Sequence, residues 1–170
     1  MKLIECVPNF SEGKNSNVIS AITDSIKKVD GVSLLGVDPG KNTNRTVVTF
    51  VGSPLAVEQA AFNAIKTASV LIDMSKHSGT HPRMGATDVC PLIPISGVTY
   101  DECIDLSRRL AKKVGDELSI PVYLYEKSAS SSSRTNLADI RYGEYEGLSK
   151  KLKSKDWKPD FGPTDFNSKS

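Results

Sequence analysis

Apolar residues in this chain alternate between two spacings, and that alternation constrains its fold more than any other feature. Leu3 to Val7 is a short apolar run that stops at Pro8-Asn9. Val18, Ile19, Ile22, Ile26 and Val29 follow at helical spacing, and Asp30-Gly31 ends that helix. Val32 to Val37 and the β-branched Arg45 to Val51 read as two strands. Between them lies the turn-forming run Asp38-Pro39-Gly40-Lys41-Asn42. Ser53-Pro54 suits the start of a second helix over Leu55 to Leu71. Asp88 to Ile95 is extended, and Pro91 and Pro94 suit an edge or irregular strand. Thr99 and Glu102 predict a capping box for a third helix, Tyr100 to Leu118. Ile120 to Tyr125 reads as a last strand. The order strand–helix–strand–strand–helix–strand–helix–strand predicts an α/β (α+β) fold. The expected form is a mixed β-sheet with helices on one face, a ferredoxin-like core with additions.

The remainder is less regular. Ser128 to Ser133 is serine-rich and reads as a mobile stretch. Arg134 to Lys155 reads as broken helix with a basic end. The tail from Asp156 holds Trp157, Phe161 and Phe166, more aromatic character than disordered chain usually carries. It is expected to dock on its own domain or on a neighbour.

A length of 170 residues fits one domain, and a net charge of +2 gives no field suited to nucleic acid or a membrane surface. Lys150, Lys151, Lys153 and Lys155 lack interleaved stacking aromatics, so they read as a solvated face. No apolar stretch approaches the roughly 20 residues that span a bilayer, and Met1 to Cys6 has no signal-peptide layout. Cys6, Cys90 and Cys103 are sparse and without a CxxC, which fits reduced thiols in a cytoplasmic protein.

Chemistry concentrates in three polar loops. The chain has two histidines, both in Lys76-His-Ser-Gly-Thr-His-Pro-Arg-Met-Gly85. Histidine titrates near neutrality, so a general acid or base is expected there. The plainer reading is a surface loop that happens to hold them. His77 and His81 have i, i+4 spacing, but Gly79 and Pro82 weaken a helical metal pair, and no metal site is expected. The other two loops are Pro8 to Gly13 and Asp38 to Arg45. Asn9, Ser11, Asp38, Asn42, Thr43 and Asn44 offer hydrogen-bonding groups, and Arg45 and Arg83 can each grip a carboxylate with two N–H groups. Asn, Asp, Ser and Gly are also ordinary turn formers, which accounts for Asp38-Pro39-Gly40 but poorly for the arginines.

These loops carry a family resemblance. Glu5-Cys-Val-Pro-Asn-Phe-Ser-Glu-Gly13, Asn44-Arg-Thr-Val-Val-Thr-Phe-Val-Gly52 and His81-Pro-Arg-Met-Gly-Ala-Thr-Asp-Val-Cys-Pro91 resemble the glutamate formiminotransferases. The resemblance runs from about Met1 to Phe166. It implies transfer of a formimino group from N-formimino-L-glutamate to N5 of tetrahydrofolate, the co-substrate, in histidine degradation. It also implies two α/β subdomains whose sheets face each other across a substrate crevice. This chain resembles the first subdomain, over residues 1–155, with 156–170 as a linker or tail toward an absent second one.

The histidine of the family's His-Pro-Arg motif, its acid and base, maps to His81. Asp38 is expected to orient that imidazolium or hold the formimino group. Asn9, Ser11, Asn44, Arg45 and Arg83 are expected to bind substrate. The folate-contacting segment maps to Gly162, Pro163, Thr164, Asp165 and Phe166. Expected partners are the small-molecule substrates and a second subdomain or a second copy. The competing readings are a folate- or anion-binding module without turnover and a subunit of a two-chain enzyme.

Overall fold

The computed structural model describes residues 1–168; the last two residues of the expected tail lie outside the described residues. Its central strand is β4 (Arg45–Gly52). On one side it pairs with β3 (Val32–Gly40); on the other it pairs with β1 (Leu3–Cys6) and β2 (Asn9–Phe10) in succession. β1 pairs with β6 (Leu92–Ser96) and β2 with β5 (Thr87–Val89). All these pairs are antiparallel. The expected first strand is therefore a broken course, interrupted at Val7-Pro8, beside a neighbour interrupted at Cys90-Pro91. Proline supplies no ladder donor, so the course breaks where prolines oppose it. Two bonds hold the break: Val48 N–H donates to the Pro8 carbonyl (3.0 Å) and Val7 N–H to that of Pro91 (3.3 Å). The segment with two prolines forms the sheet edge, as expected.

Strand period sorts the sheet into two faces. Ile4, Cys6, Val48 and Phe50 point into the core with no exposure. Registers place Leu34, Phe50, Cys6 and Leu92 in one row across that face. The helices cover it: α1 (Ser16–Lys27), α2 (Pro54–Leu71) and α3 (Tyr100–Leu118), with α1 on α2 and α2 on α3. Ile22 and Ile26, Val57 and Ala61, and Leu106 and Leu110 complete one cluster. The other face carries the rows Ser33–Val51–Glu5–Ile93 and Asp38–Val47–Asn9–Val89. The expected sheet with helices on one face is present, but it is antiparallel throughout rather than mixed.

Local signals explain the helix starts. Asn15 caps α1 by accepting from the N–H groups of Asn17 and Val18. Thr99 and Glu102 form both halves of the predicted capping box. Ser53 stands at the N-cap of α2 but its hydroxyl makes no capping bond; Pro54 opens that helix instead.

Two expectations at the C-terminal end are corrected. Ile120 to Tyr125 is not a sheet strand: its one bridge among the described residues is Val122 with Phe161. Val122 N–H donates to the Phe161 carbonyl (2.8 Å), and Leu124 N–H donates to the Asp160 carboxylate (2.8 Å). The returning tail has captured the backbone groups a sheet neighbour would need. The serine-rich run is a turn that ends in a buried anchor, Arg134. That guanidinium pairs with Asp160 (3.0 Å), donates to the Lys158 carbonyl (2.6 Å), and lies over the Tyr123 and Trp157 rings. The aromatic tail thus docks on its own chain.

The expected broken helix is α4 (Leu137–Arg141) and α5 (Glu144–Leu152). Ile140, Leu148 and Leu152 build a second, smaller cluster with Tyr123. Among the described residues, no helix is long and apolar enough to cross a membrane.

Phe50 sits at the centre of the large cluster, fully enclosed. Phe50→Ala is expected to cost about 3–5 kcal/mol, read as a lower urea midpoint with the slope unchanged.

Candidate active site

The three polar loops meet, and backbone contact explains how. A Cβ on Gly13 would lie 2.2 Å from the Gly40 carbonyl oxygen, and one on Gly79 would lie 2.2 Å from that of Thr43. Only glycine permits such approaches. Asn44 stands at the crossing, in the left-handed region (φ 49°) that asparagine tolerates better than most residues. Its side-chain oxygen accepts from Gly13 N–H (2.9 Å), and its amide donates to the Ser78 carbonyl (3.0 Å). Its backbone carbonyl faces His77 Nε2 at 2.8 Å. Ser11 is buried and donates to the Gly85 carbonyl (2.7 Å). Thr46 donates to the Glu12 carbonyl.

The two histidines differ in what they have left to offer. A carbonyl oxygen only accepts, so His77 Nε2 carries a proton toward Asn44. Its Nδ1 accepts from Arg83 Nε–H (3.0 Å). Both nitrogens of His77 are engaged within the protein. His81 Nδ1 lies 2.6 Å from the Pro82 carbonyl oxygen and therefore donates to it. The neutral ring then carries its lone pair on Nε2, which has no partner among the described residues.

Arg83 is buried and fully committed. It donates to Glu146 through both terminal nitrogens (2.9 and 2.7 Å), to Glu144 (3.4 Å), to the His77 carbonyl (3.1 Å) and to His77 Nδ1. This guanidinium holds the Glu146 carboxyl down at about 2. Tyr145 stacks on Arg83, and its N–H donates to the Arg83 carbonyl (3.0 Å). The histidine loop is thereby strapped to α5.

Arg45 is also buried; it donates to Asn9 (2.9 Å) and to Asp88 (2.6 Å). The Asp88 side chain has no exposure, takes a second guanidinium from Arg141, and accepts from Met84 N–H (2.7 Å). Asp38 lies on the open face in the row of Val47 and Asn9; it is exposed, and its carboxylate has no partner among the described residues.

Of the expected substrate ligands, Asn9, Ser11, Asn44, Arg45 and Arg83 thus hold the loops to one another, while His81 and Asp38 stay open. Gly162 lies beside Gly115 and Ile120 with φ 86°, while Phe166 packs on Tyr145 (ring centroids 5.5 Å). The expected folate segment therefore ends beside the strap of the histidine loop. Asp88, Arg141, Glu144 and Glu146 were not anticipated. A lone carboxylate in the apolar run around Asp88 was the available signal. The glutamates of α5 gave none.

The sequence matches the model of the formiminotransferase domain, N-terminal subdomain, over residues 3–170. The chain belongs to that family. It is 54% identical over 165 residues to a formimidoyltransferase-cyclodeaminase of Dictyostelium discoideum, covering 97% of this chain and 31% of that protein. It is 48% identical to a glutamate formimidoyltransferase of Streptococcus pyogenes serotype M1, over 95% of this chain and 54% of the relative. A glutamate formimidoyltransferase of Thermoplasma acidophilum is 47% identical, over 96% and 55% respectively. The chain thus spans about a third of the first of these and about half of the other two.

The strap gives a pH prediction for this formiminotransferase subdomain. Folding lowers the Glu146 pKa, so its contribution is present above the unfolded value of about 4.3 and fades as pH falls toward about 2. Glu146 is largely exposed, so Glu146→Gln is expected to cost under about 1 kcal/mol at pH 7. The deficit should shrink by pH 3. Urea denaturation at both pH values checks this; a deficit independent of pH would mean the strap is not ionic.

Proposed function

We propose that this chain supplies the acid–base histidine for transfer of the formimino group from N-formimino-L-glutamate to N5 of tetrahydrofolate, a step of histidine degradation. The observation that carries this reading is the unpartnered Nε2 of His81 at the junction of three loops, in a chain whose relatives are named glutamate formimidoyltransferases. His77, with both nitrogens engaged, is the supporting residue.

The chemistry needs one group that takes a proton and then returns it. N5 of tetrahydrofolate attacks the formimino carbon, forming a C–N bond and a tetrahedral adduct. His81 Nε2 takes the proton from N5. The bond from that carbon to the glutamate nitrogen then breaks, and the same proton passes from His81 to the departing nitrogen. The Pro82 carbonyl, accepting from Nδ1–H, fixes the tautomer this sequence requires.

Asp38 is the free carboxylate suited to the cationic formimino group. Arg45, through the terminal nitrogen not turned to Asp88, suits a substrate carboxylate. Arg83 is better read as part of the strap. The segment Gly162 to Phe166 suits folate because Phe166 sits on Tyr145, next to Arg83.

The same reading includes a covering partner for the open sheet face: a second formiminotransferase subdomain or a second copy. Ile93 on that face and Ile95 of the same edge strand are exposed apolar residues, at 37% and 53%. The reading also makes the protein a cytoplasmic enzyme that uses folate as co-substrate.

The test follows formimino transfer by the purified chain, alone and mixed with a separately expressed second subdomain. His81→Ala is expected to lower turnover by about 10²–10⁴-fold with folate binding retained. His77→Ala should lower thermal stability first. Full activity in His81→Ala would sink the assignment, and folate binding with no transfer by any combination would favour a binding module.

A further inference from the structure

Among the described residues, two buried side-chain polar atoms have no hydrogen-bond partner: Arg141 Nε and Thr87 Oγ1. Both residues line one cavity of about 430 Å³. It runs along the outer edge of β5 and β6, where α3 and the segment 120–125 stand off from the sheet. Its existence follows from the fold: Val122 bonds to Phe161 rather than to β6, so that edge has no strand beside it. Leu92, Ile104, Leu110, Val122 and Ile140 give it apolar walls. His81 and Asp38 do not line it.

One end of the cavity is charged. Asp88, without exposure, receives both Arg45 and Arg141. Two guanidiniums on one carboxylate leave a surplus positive charge where water is largely excluded. A buried charge or donor without a partner is unfavourable, and native structures seldom keep one unanswered. The complement that end of the cavity calls for is one negative charge brought against Arg141 and Thr87, both of which line it. Glu126 and Lys127, also in the lining, carry opposite charges that offset each other. The volume lies within the roughly 300–1,000 Å³ of small-molecule sites.

We propose that this cavity binds a small monocarboxylic acid with an apolar body. The carboxylate sits at Arg141 and Thr87, and the body lies between α3 and β6. A carboxylate is favoured over an alcohol of the same body because a charge-assisted bond to a guanidinium is stronger than a neutral one.

Titration calorimetry on the purified chain, with octanoate and 1-octanol as probes, tests this. Octanoate is expected to bind one to one, and 1-octanol about tenfold or more weakly. Arg141→Gln and, with less disturbance of the Asp88 cluster, Thr87→Val should each weaken octanoate and narrow its advantage over 1-octanol. Ile104→Phe should fill the apolar part and weaken both probes. Circular dichroism and thermal melts confirm that each variant is folded; Thr87→Val decides if Arg141→Gln fails to fold. Absence of octanoate binding, equal affinity for the two probes, or binding unchanged in both Thr87→Val and Ile104→Phe would overturn the proposal.

Discussion

A carboxylate with no exposure to water holds the loop end of this molecule together. Asp88 sits in a short edge strand, and burying it alone would be strongly unfavourable. Its partners answer that demand, and each comes from a different part of the chain. Arg45 comes from the central strand, Arg141 from the end of α4, and the Met84 amide from the histidine loop. Arg45 passes the connection on to Asn9 after the first strand break. Removing the carboxylate would leave two guanidiniums facing each other with nothing between them, which is worse than losing one ion pair.

Around that centre, the polar residues of the loops mostly hold one another. Asn44 alone touches two other loops through its side chain and backbone. Ser11 and His77 are likewise engaged with backbone carbonyls. Such a junction is stiff: the glycines at 13 and 79 let backbones touch, and the bonds fix their register. Stiffness suits the role proposed for His81, which needs one imidazole held in one tautomer. His81 Nε2 and the Asp38 carboxylate are among the side-chain groups of these loops that no described residue engages.

The sequence made much of this legible, and the limits have physical causes. Helices declared themselves by period and caps, as Thr99 and Glu102 did at α3. The β-branched run at Arg45–Val51 became the central strand because both its sides could be paired. Ile120–Tyr125 misled because its composition is that of a strand. Its fate depended on Asp160 and Phe161, some forty residues away, which local pattern does not encode. Residue types pointed to three loops that do meet, but not to the bonds that join them. Arg83 spends its donors on Glu144, Glu146 and His77, and Arg45 spends two of its own on Asn9 and Asp88, partners that residue type alone does not name. Arg134, set in a serine-rich run, gave no sign that it would anchor the tail.

The geometry also divides the work expected of any covering partner. The contacts that orient His81 come from within this chain: the Pro82 carbonyl on its ring, and the strap from Glu146 through Arg83 on its loop. A neighbour is not needed to set the tautomer or to hold the loop. What this chain leaves exposed is the open sheet face, with Asp38 at one end of a row and Ile93 at the end of another. A carboxylate and an aliphatic edge bind an extended, partly apolar, partly cationic molecule weakly while water can reach them. Covering that face would exclude water and strengthen the Asp38 interaction without moving His81. On this reading the catalytic geometry belongs to this chain, and substrate affinity depends on what closes over its sheet.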